Sequence, residues 1–451
     1  MVHGDPPYRI PLSRRELLYV CGRVMPVALL GAGCRQPAAQ QEAARPESAP
    51  ARVQEVVWSC YTLGEARNKI LDDLAQAAQK AVPGVRLTLA IQPGQGYWDK
   101  LQTMVVAGSA PDLVVNQVNW VQAGAARNIF VALDDYMAKD RIRREDYNDY
   151  KSWLWKGKLY AIPFQALGET IFISRRTFDE AGLKLPDVNW TFQDMLELAR
   201  KLTKGEGDQK QWGIQYGYGS IEMGFGTIIL NFGGKVLNDA RDRALYGEDA
   251  RALEAAQFYA DWRHRYLVHP KPSDIAPGSK PFIEIGRGAM YQTGFFYVAN
   301  IYAALREDLW FTTPPRSPTN PSCAVGSNAW SITTSSKVKD AAWKVLAYLV
   351  GEEGQTIWAP GGTPALAKVA ASPVYLKNYP GLEKEVTNLI QTWNRIGRDY
   401  FITPDADDWW RTANRELAPM YTGEKSPAEA MRASAEAVNR EVFAVRPPEF
   451  R

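Results

Sequence analysis

An α/β architecture of mostly parallel sheets flanked by helices is the fold class this sequence predicts, and three observations carry the prediction. Short β-branched runs alternate with amphipathic helical stretches from residue 53 onward, and a βαβαβ order of this kind requires crossover helices packed on both faces of a sheet. Hydrophobic residues make up 46% of the 451, enough for two or three domain-sized cores and too many for a disordered chain. The chain has no run of 18 apolar residues, so no transmembrane helix is expected.

The elements follow in order. Residues 53–59 form a β-branched run. Residues 64–82 place Ile70, Leu74, Ala77 and Ala81 at helical spacing, and Pro83-Gly84 ends the helix. Val85, Leu87, Leu89 and Ile91 alternate as a strand does. Residues 97–107 turn Leu101, Met104 and Val105 inward and end at Gly108, and Leu113-Val114-Val115 is a short buried strand. Further strands are predicted at 159–163, 170–174 and 328–333. Helices are predicted at 192–203, capped by Thr191 and Asp194, and at 250–265, 340–350 and 426–440. Sheets of this kind present ligands at the carboxyl ends of their strands, so the loops there are where function is sought.

Charge and composition exclude several partners. Residues 1–52 hold seven basic and four acidic residues, which leaves 46 of each sign, and no net charge, in 53–451. A neutral body without a basic block predicts no nucleic-acid partner. Only His264 and His269 remain after the first ten residues, and no zinc helix, nucleophile elbow or phosphate loop is complete. No metal, cofactor or catalytic residue is therefore expected. Cys60 and Cys323 read as two separate small core residues.

The N-terminus reads as an address. Ser13-Arg14-Arg15-Glu16-Leu17-Leu18 resembles a twin-arginine export motif. Leu29-Leu30-Gly31-Ala32-Gly33-Cys34 resembles a bacterial lipoprotein processing site, with Cys34 as the lipid anchor. Residues 35–52 are rich in Ala, Gln, Pro and Glu, a tether composition. The expected location is exported, in the periplasm or on the outer face of the cytoplasmic membrane.

Tyr97-Trp98-Asp99-Lys100-Leu101-Gln102-Thr103-Met104, followed by Ala107-Gly108-Ser109-Ala110-Pro111-Asp112, resembles a signature of the bacterial extracellular solute-binding proteins, a sugar-binding family. Gly157–Pro163, Glu180-Ala181-Gly182-Leu183, Trp190-Thr191-Phe192, Gly286–Met290, Trp330-Ser331-Ile332 and Ser426–Met431 match further segments of that family in order. The resemblance covers about residues 53–445. It implies a two-lobe periplasmic-binding-protein fold with a ligand cleft between lobes, crossed near 164–170, 305–312 and 365–370. Lobe 1 would comprise 53–166 and 309–365, and lobe 2 would comprise 167–308 and 366–451, after a signal at 1–34 and a tether at 35–52. It also implies a monomer that captures a carbohydrate and passes it to the permease subunits of an ABC importer. A non-sugar ligand (peptide, polyamine or phosphodiester) is the alternative. A glycosidase built on Asp405, Asp407 and Asp408 is a more distant one.

A sugar cleft needs aromatic rings for the C–H faces and amides or carboxylates for the hydroxyls. Loops following strands offer Trp58 and Tyr61; Asn116, Asn119 and Trp120; Phe295, Phe296 and Tyr297; and Trp409 and Trp410. Glu169 lies in the presumed crossing segment, while the family's usual acidic position falls on Leu167. Tyr216 or Tyr218 is expected to reach ligand from a glycine-rich loop, and Trp153 and Trp155 are expected to pack.

Overall fold

The computed structural model describes residues 53–451 apart from Tyr218. The twin-arginine segment, Cys34 and the tether lie outside the described residues, as does Tyr218. Among the described residues no helix is long and apolar enough to cross a membrane.

The chain opens as β1 (Gln54–Tyr61), α1 (Glu65–Ala81), β2 (Val85–Gln92), α2 (Tyr97–Val106), β3 (Leu113–Gln117) and α3 (Val118–Ala126). β1 lies parallel to β2 on one side and to β3 on the other, with Trp58 opposite Leu89 and Leu113. A two-stranded hairpin of β4 (Leu154–Trp155) and β5 (Lys158–Leu159) precedes the long strand β6 (Ile162–Ser174). The remaining strands are β7 (Trp212–Tyr216), β8 (Gly288–Gly294), β9 (Leu309–Thr312), β10 (Cys323–Ile332) and β11 (Gly397–Arg398). The main sheet runs β2-β1-β3-β10-β6-β8-β7, parallel at its two ends and antiparallel where β10 and β6 cross the middle.

β6 is one strand where the sequence pattern predicts two. Both halves find partner strands, so the backbone stays hydrogen-bonded on either side of the crossing. β10 pairs along 162–168, while β8 and β9 pair along 169–174. The same strand passes from one core to another. Ile162 and Phe164 pack with Trp58, Trp330 and Trp358, and Phe164 stacks on Trp330 at 4.3 Å between ring centroids. Ile171 and Ile173 pack with Phe225, Trp262 and Trp409 in the second lobe. A third cluster lies beside the crossing around Phe172, Phe295, Phe311 and Trp393. β9 belongs with this cluster and pairs with 171–174, so the chain returns to the first lobe along β10 and not at the expected 309 boundary.

Two details fix the crossing. A Cβ on Gly168 would overlap the Trp393 ring, so only glycine lets the strand pass there without a shift. The Trp393 indole then donates to the Glu169 carbonyl at 3.0 Å. Helix Phe192–Leu202 carries the predicted capping box of Thr191 and Asp194, and helix Pro427–Val438 has a second one from Ser426 and Glu429. Cys60 and Cys323 are both buried and unpaired.

Candidate ligand cleft

β1 and β3 end side by side in the first lobe, and β7 and β8 end facing them from the second. Between these ends lies a cleft of about 490 Å³. The first lobe contributes Tyr61, Arg67, Gln117 and Asn119, and the crossing strands contribute Gln165, Leu167 and Asn328. The second lobe contributes Glu222, Met223, Phe296 and Trp410, with Tyr400 at the crossing. A larger hollow of about 840 Å³ is lined by Gln122, Trp155, Arg241, Asp399 and Phe450 among others. Of the sheet's parallel strands only the two-residue β11 ends beside it, at Asp399, whereas β1, β3 and β8 all end at the smaller cleft, and strand ends are where open α/β sheets bind ligand. The smaller cleft is therefore the candidate.

Hydrogen bonds hold its polar floor in place. The Tyr61 hydroxyl accepts from Gln117 Nε2 at 2.8 Å and from Asn328 Nδ2 at 3.1 Å. Its ring meets Tyr97 edge-on at 5.6 Å. Burial, chiefly, pushes the Tyr61 phenol above its usual range, so it stays neutral. Arg67 Nε donates to the Leu63 carbonyl at 2.9 Å. Burial lowers the Arg67 pKa, and among the described residues no carboxylate forms an ion pair with it. Across the cleft, Glu222 accepts from Asn414 Nδ2 at 2.9 Å. Gln165 Oε1 and Trp410 Nε1 are buried without a protein partner, leaving an acceptor and a donor unused in residues that line the cleft.

Beside the cleft the lobes touch. Asn119 Nδ2 donates to Asp407 Oδ1, and Trp120 Nε1 donates to Asp407 Oδ2 at 3.1 Å. Asp407 sits at the start of helix Ala406–Thr422, whose Trp409, Ala413 and Leu417 belong to the second-lobe core. Burial raises the Asp407 pKa, and the two donors oppose that shift. Trp120 is held on its other side by Trp98, stacked at 5.2 Å with the planes 4° apart.

The structure brings Tyr61, Asn119, Phe296 and Trp410 to the cleft and sends other predicted residues elsewhere. Trp58 is fully buried, edge-on to Trp330 at 4.9 Å. Asn116 is buried within the sheet and donates to Ser331 Oγ at 3.0 Å. Trp120 is a packing and bridging residue outside the cleft lining. Phe295 and Trp409 face cores because consecutive residues at a strand end or on a helix point in different directions. Tyr297 is half-buried with its ring edge-on to Tyr291 at 6.1 Å, outside the lining. Tyr216 packs in the second core against Trp262.

Glu169 is buried at the crossing and accepts from Thr227 Oγ1 at 2.8 Å, Gln292 Nε2 at 3.1 Å and the Ala324 N–H at 2.9 Å. Burial raises its pKa, and Arg398 opposes the shift. It ties strands together and lies outside the cleft lining. Trp153 packs as expected, donating to Ser327 Oγ at 2.7 Å. Ser327 in turn donates to Asp149, whose pKa burial pushes up to about 7.

The three carboxylates near Trp409 have separate partners. Asp405 is buried with Arg446 at 2.7 Å, Asp407 bridges the lobes, and Asp408 pairs with Arg411 at the surface. They do not converge as a catalytic pair. Among the described residues no group of three or more His, Cys, Asp or Glu side chains could hold a metal ion.

Sequence reasoning missed Arg67, Gln117, Gln165, Glu222, Asn328 and Tyr400. Arg67 and Gln117 lie within a few residues of positions that were singled out. Glu222, Asn328 and Tyr400 come from distant segments that only the crossings bring together.

A family model described as bacterial extracellular solute-binding protein matches residues 64–356. A Brucella abortus (strain 2308) protein named only as a binding protein is 24% identical over 317 residues, covering 68% of this chain and 75% of its own. Among solved structures, the ABC substrate-binding protein Lmo0181 from Listeria monocytogenes, in complex with cycloalternan, matches with TM-score 0.76 and 20% identity, over 86% of this chain and 98% of its own. The GacH receptor of Streptomyces glaucescens, studied with acarbose, matches with TM-score 0.73 and 19% identity, over 88% and 100%. The maltose/maltodextrin-binding domain MalE from Bdellovibrio bacteriovorus, bound to maltotriose, matches with TM-score 0.69 and 19% identity, over 86% and 99%.

Proposed function

This chain belongs to the bacterial extracellular solute-binding proteins, and from that membership we propose that it captures a carbohydrate between its lobes and delivers it to the permease of an ABC importer. The observation that carries the reading is the composition of the cleft. Phe296, Trp410 and Tyr400 offer ring faces to sugar C–H surfaces. Gln117, Asn119, Gln165 and Asn328 offer amides to hydroxyls, and Arg67 and Glu222 offer one charge of each sign. The unused valences of Gln165 Oε1 and Trp410 Nε1 suit a ligand rich in both donors and acceptors.

Capture needs two states. A ligand touching both lobes favours the closed form because only that form makes both sets of contacts. The hydrogen bonds from Asn119 and Trp120 to Asp407 belong to the closed form and break when the lobes part. Among the described residues the cleft lining holds a single carboxylate, Glu222, where a glycosidase uses two, which supports release of the sugar unchanged.

The N-terminus completes the reading. Residues 1–34 direct export, Cys34 carries lipid, and 35–52 tether a monomeric body near the importer. Replacing Cys34 by Ser releases the protein from the membrane fraction. Retention of the Cys34→Ser variant in washed membranes contradicts the anchor. The capture reading is tested by a thermal-shift screen against mono- and oligosaccharides. A sugar present at about 100 times its dissociation constant adds roughly 2.7 kcal/mol of stability. A panel in which peptides or polyamines stabilise and no sugar does contradicts the carbohydrate reading.

A further inference from the structure

The second lobe holds a basic feature that the cleft does not use. Arg316 follows β9 and is only 8% exposed. Its Nη2 donates to Asn189 Oδ1, while Nη1 is buried without a hydrogen-bond partner. Two hollows, about 490 and 550 Å³, meet at Arg316, Ser317 and Pro318. Arg395, exposed in the last turn of helix Glu383–Ile396, lines the first. Arg251 lines the second but is paired with Glu254 at 2.7 Å. No Asp or Glu lines either hollow.

The carboxylate that acts on Arg316 is Asp187, and its Oδ1 is engaged by the Asn189 N–H at 2.6 Å. Burial and then the positive charge of Arg395 lower the Arg316 pKa. A buried guanidinium with an unmade hydrogen bond, beside a second cation, is costly. An anion between the two arginines would satisfy the open N–H and cancel the repulsion together.

We propose that Arg316 and Arg395 hold a small oxyanion of phosphate type in the 490 Å³ hollow, separate from the ligand cleft. The guanidinium fork matches a phosphate face with two parallel hydrogen bonds, and two forks from different elements suit an anion with three or more oxygens. The site does not depend on what the cleft binds.

The experiment is calorimetric titration of the exported protein with inorganic phosphate and, separately, with glycerol 3-phosphate as a soluble stand-in for an esterified phosphate such as a lipid headgroup. The expected result is saturable binding that Arg395→Gln weakens at least about tenfold. Arg395→Lys should restore it only in part, since an ammonium cannot reproduce the fork. Arg395 is exposed, so this variant keeps the fold, and an unchanged unfolding transition checks it. Tighter binding of glycerol 3-phosphate would assign the site to esterified phosphate, and tighter binding of the inorganic ion to the free anion. Absence of binding by both probes overturns the proposal. So does an affinity unchanged in Arg395→Gln, which places the anion elsewhere, for example on Arg67.

Discussion

Trp409 and Trp410 are consecutive, and the structure gives them opposite duties. Trp409 is fully buried among Phe401, Phe443 and the second-lobe core. A buried indole removes on the order of 200 Å² from water, which at ~25 cal/mol per Å² is about 5 kcal/mol. Part of that area is already hidden in the unfolded chain, so Trp409→Ala is expected to cost about 3–5 kcal/mol of stability. Trp410 is half-buried between both lobes' cores and lines the cleft. Trp410→Ala is expected to cost less stability, about 1–3 kcal/mol. It should also weaken sugar binding by about 1–2 kcal/mol, roughly 5–30-fold, the scale of one ring contact. Denaturant unfolding without ligand gives the first quantity. Calorimetric titration at a temperature where both variants are folded gives the second. A larger affinity loss in Trp409→Ala than in Trp410→Ala, or an unchanged affinity in Trp410→Ala, would contradict these roles.

Three further outcomes follow. Asp149 has its pKa raised from 3.8 to about 7 in the folded state, so the folded protein binds this proton more tightly than the unfolded chain. Its contribution to stability is therefore present below about pH 4 and is lost as pH rises to about 7, by at most about 4 kcal/mol; Asp149→Asn should flatten that part of the stability–pH curve measured by denaturant unfolding. Gly168→Ala places a methyl against Trp393 and should cost about 1–3 kcal/mol by overpacking, where an unchanged denaturation midpoint would show that the crossing tolerates a Cβ. Glu169→Ala removes the acceptor shared by Thr227, Gln292 and the Ala324 N–H and should cost about 3–5 kcal/mol; Glu169→Gln should cost clearly less, and equal losses would mean that the carboxylate's acceptor role is not what matters.

The strand–helix order was legible because each element carries its own period and stop signal. Pro83-Gly84 ends α1, Gly108 follows α2, and the Thr191–Asp194 and Ser426–Glu429 boxes open their helices. The cleft was legible only as neighbourhoods. The pairs Phe295–Phe296 and Trp409–Trp410 each straddle a boundary between core and cleft, and direction depends on a backbone geometry that composition does not contain. Asn116 lies within β3 and faces the sheet interior, whereas Asn119 lies in α3 and faces the opposite lobe. Trp120 sits among polar neighbours in the sequence and beside Trp98 in space, so its packing role comes from a helix that the local pattern does not mention. Glu222, Asn328 and Tyr400 belong to the cleft only because β6 and β10 cross between lobes, a pairing of segments far apart in the chain.

In the proposed complex a sugar is held between Arg67 and Tyr61 on one lobe and Glu222 and Trp410 on the other, all residues that line the cleft. Calorimetric titration of the stabilising oligosaccharide into wild-type protein and into Arg67→Gln tests it most directly. One saturable site is expected in the wild type. An affinity loss of at least about tenfold is expected in the variant, the scale of a hydrogen bond from a charged group, with an unchanged unfolding transition. Wild-type affinity in Arg67→Gln would place the sugar outside this cleft, and failure of every oligosaccharide to bind the wild type would remove carbohydrate as its ligand.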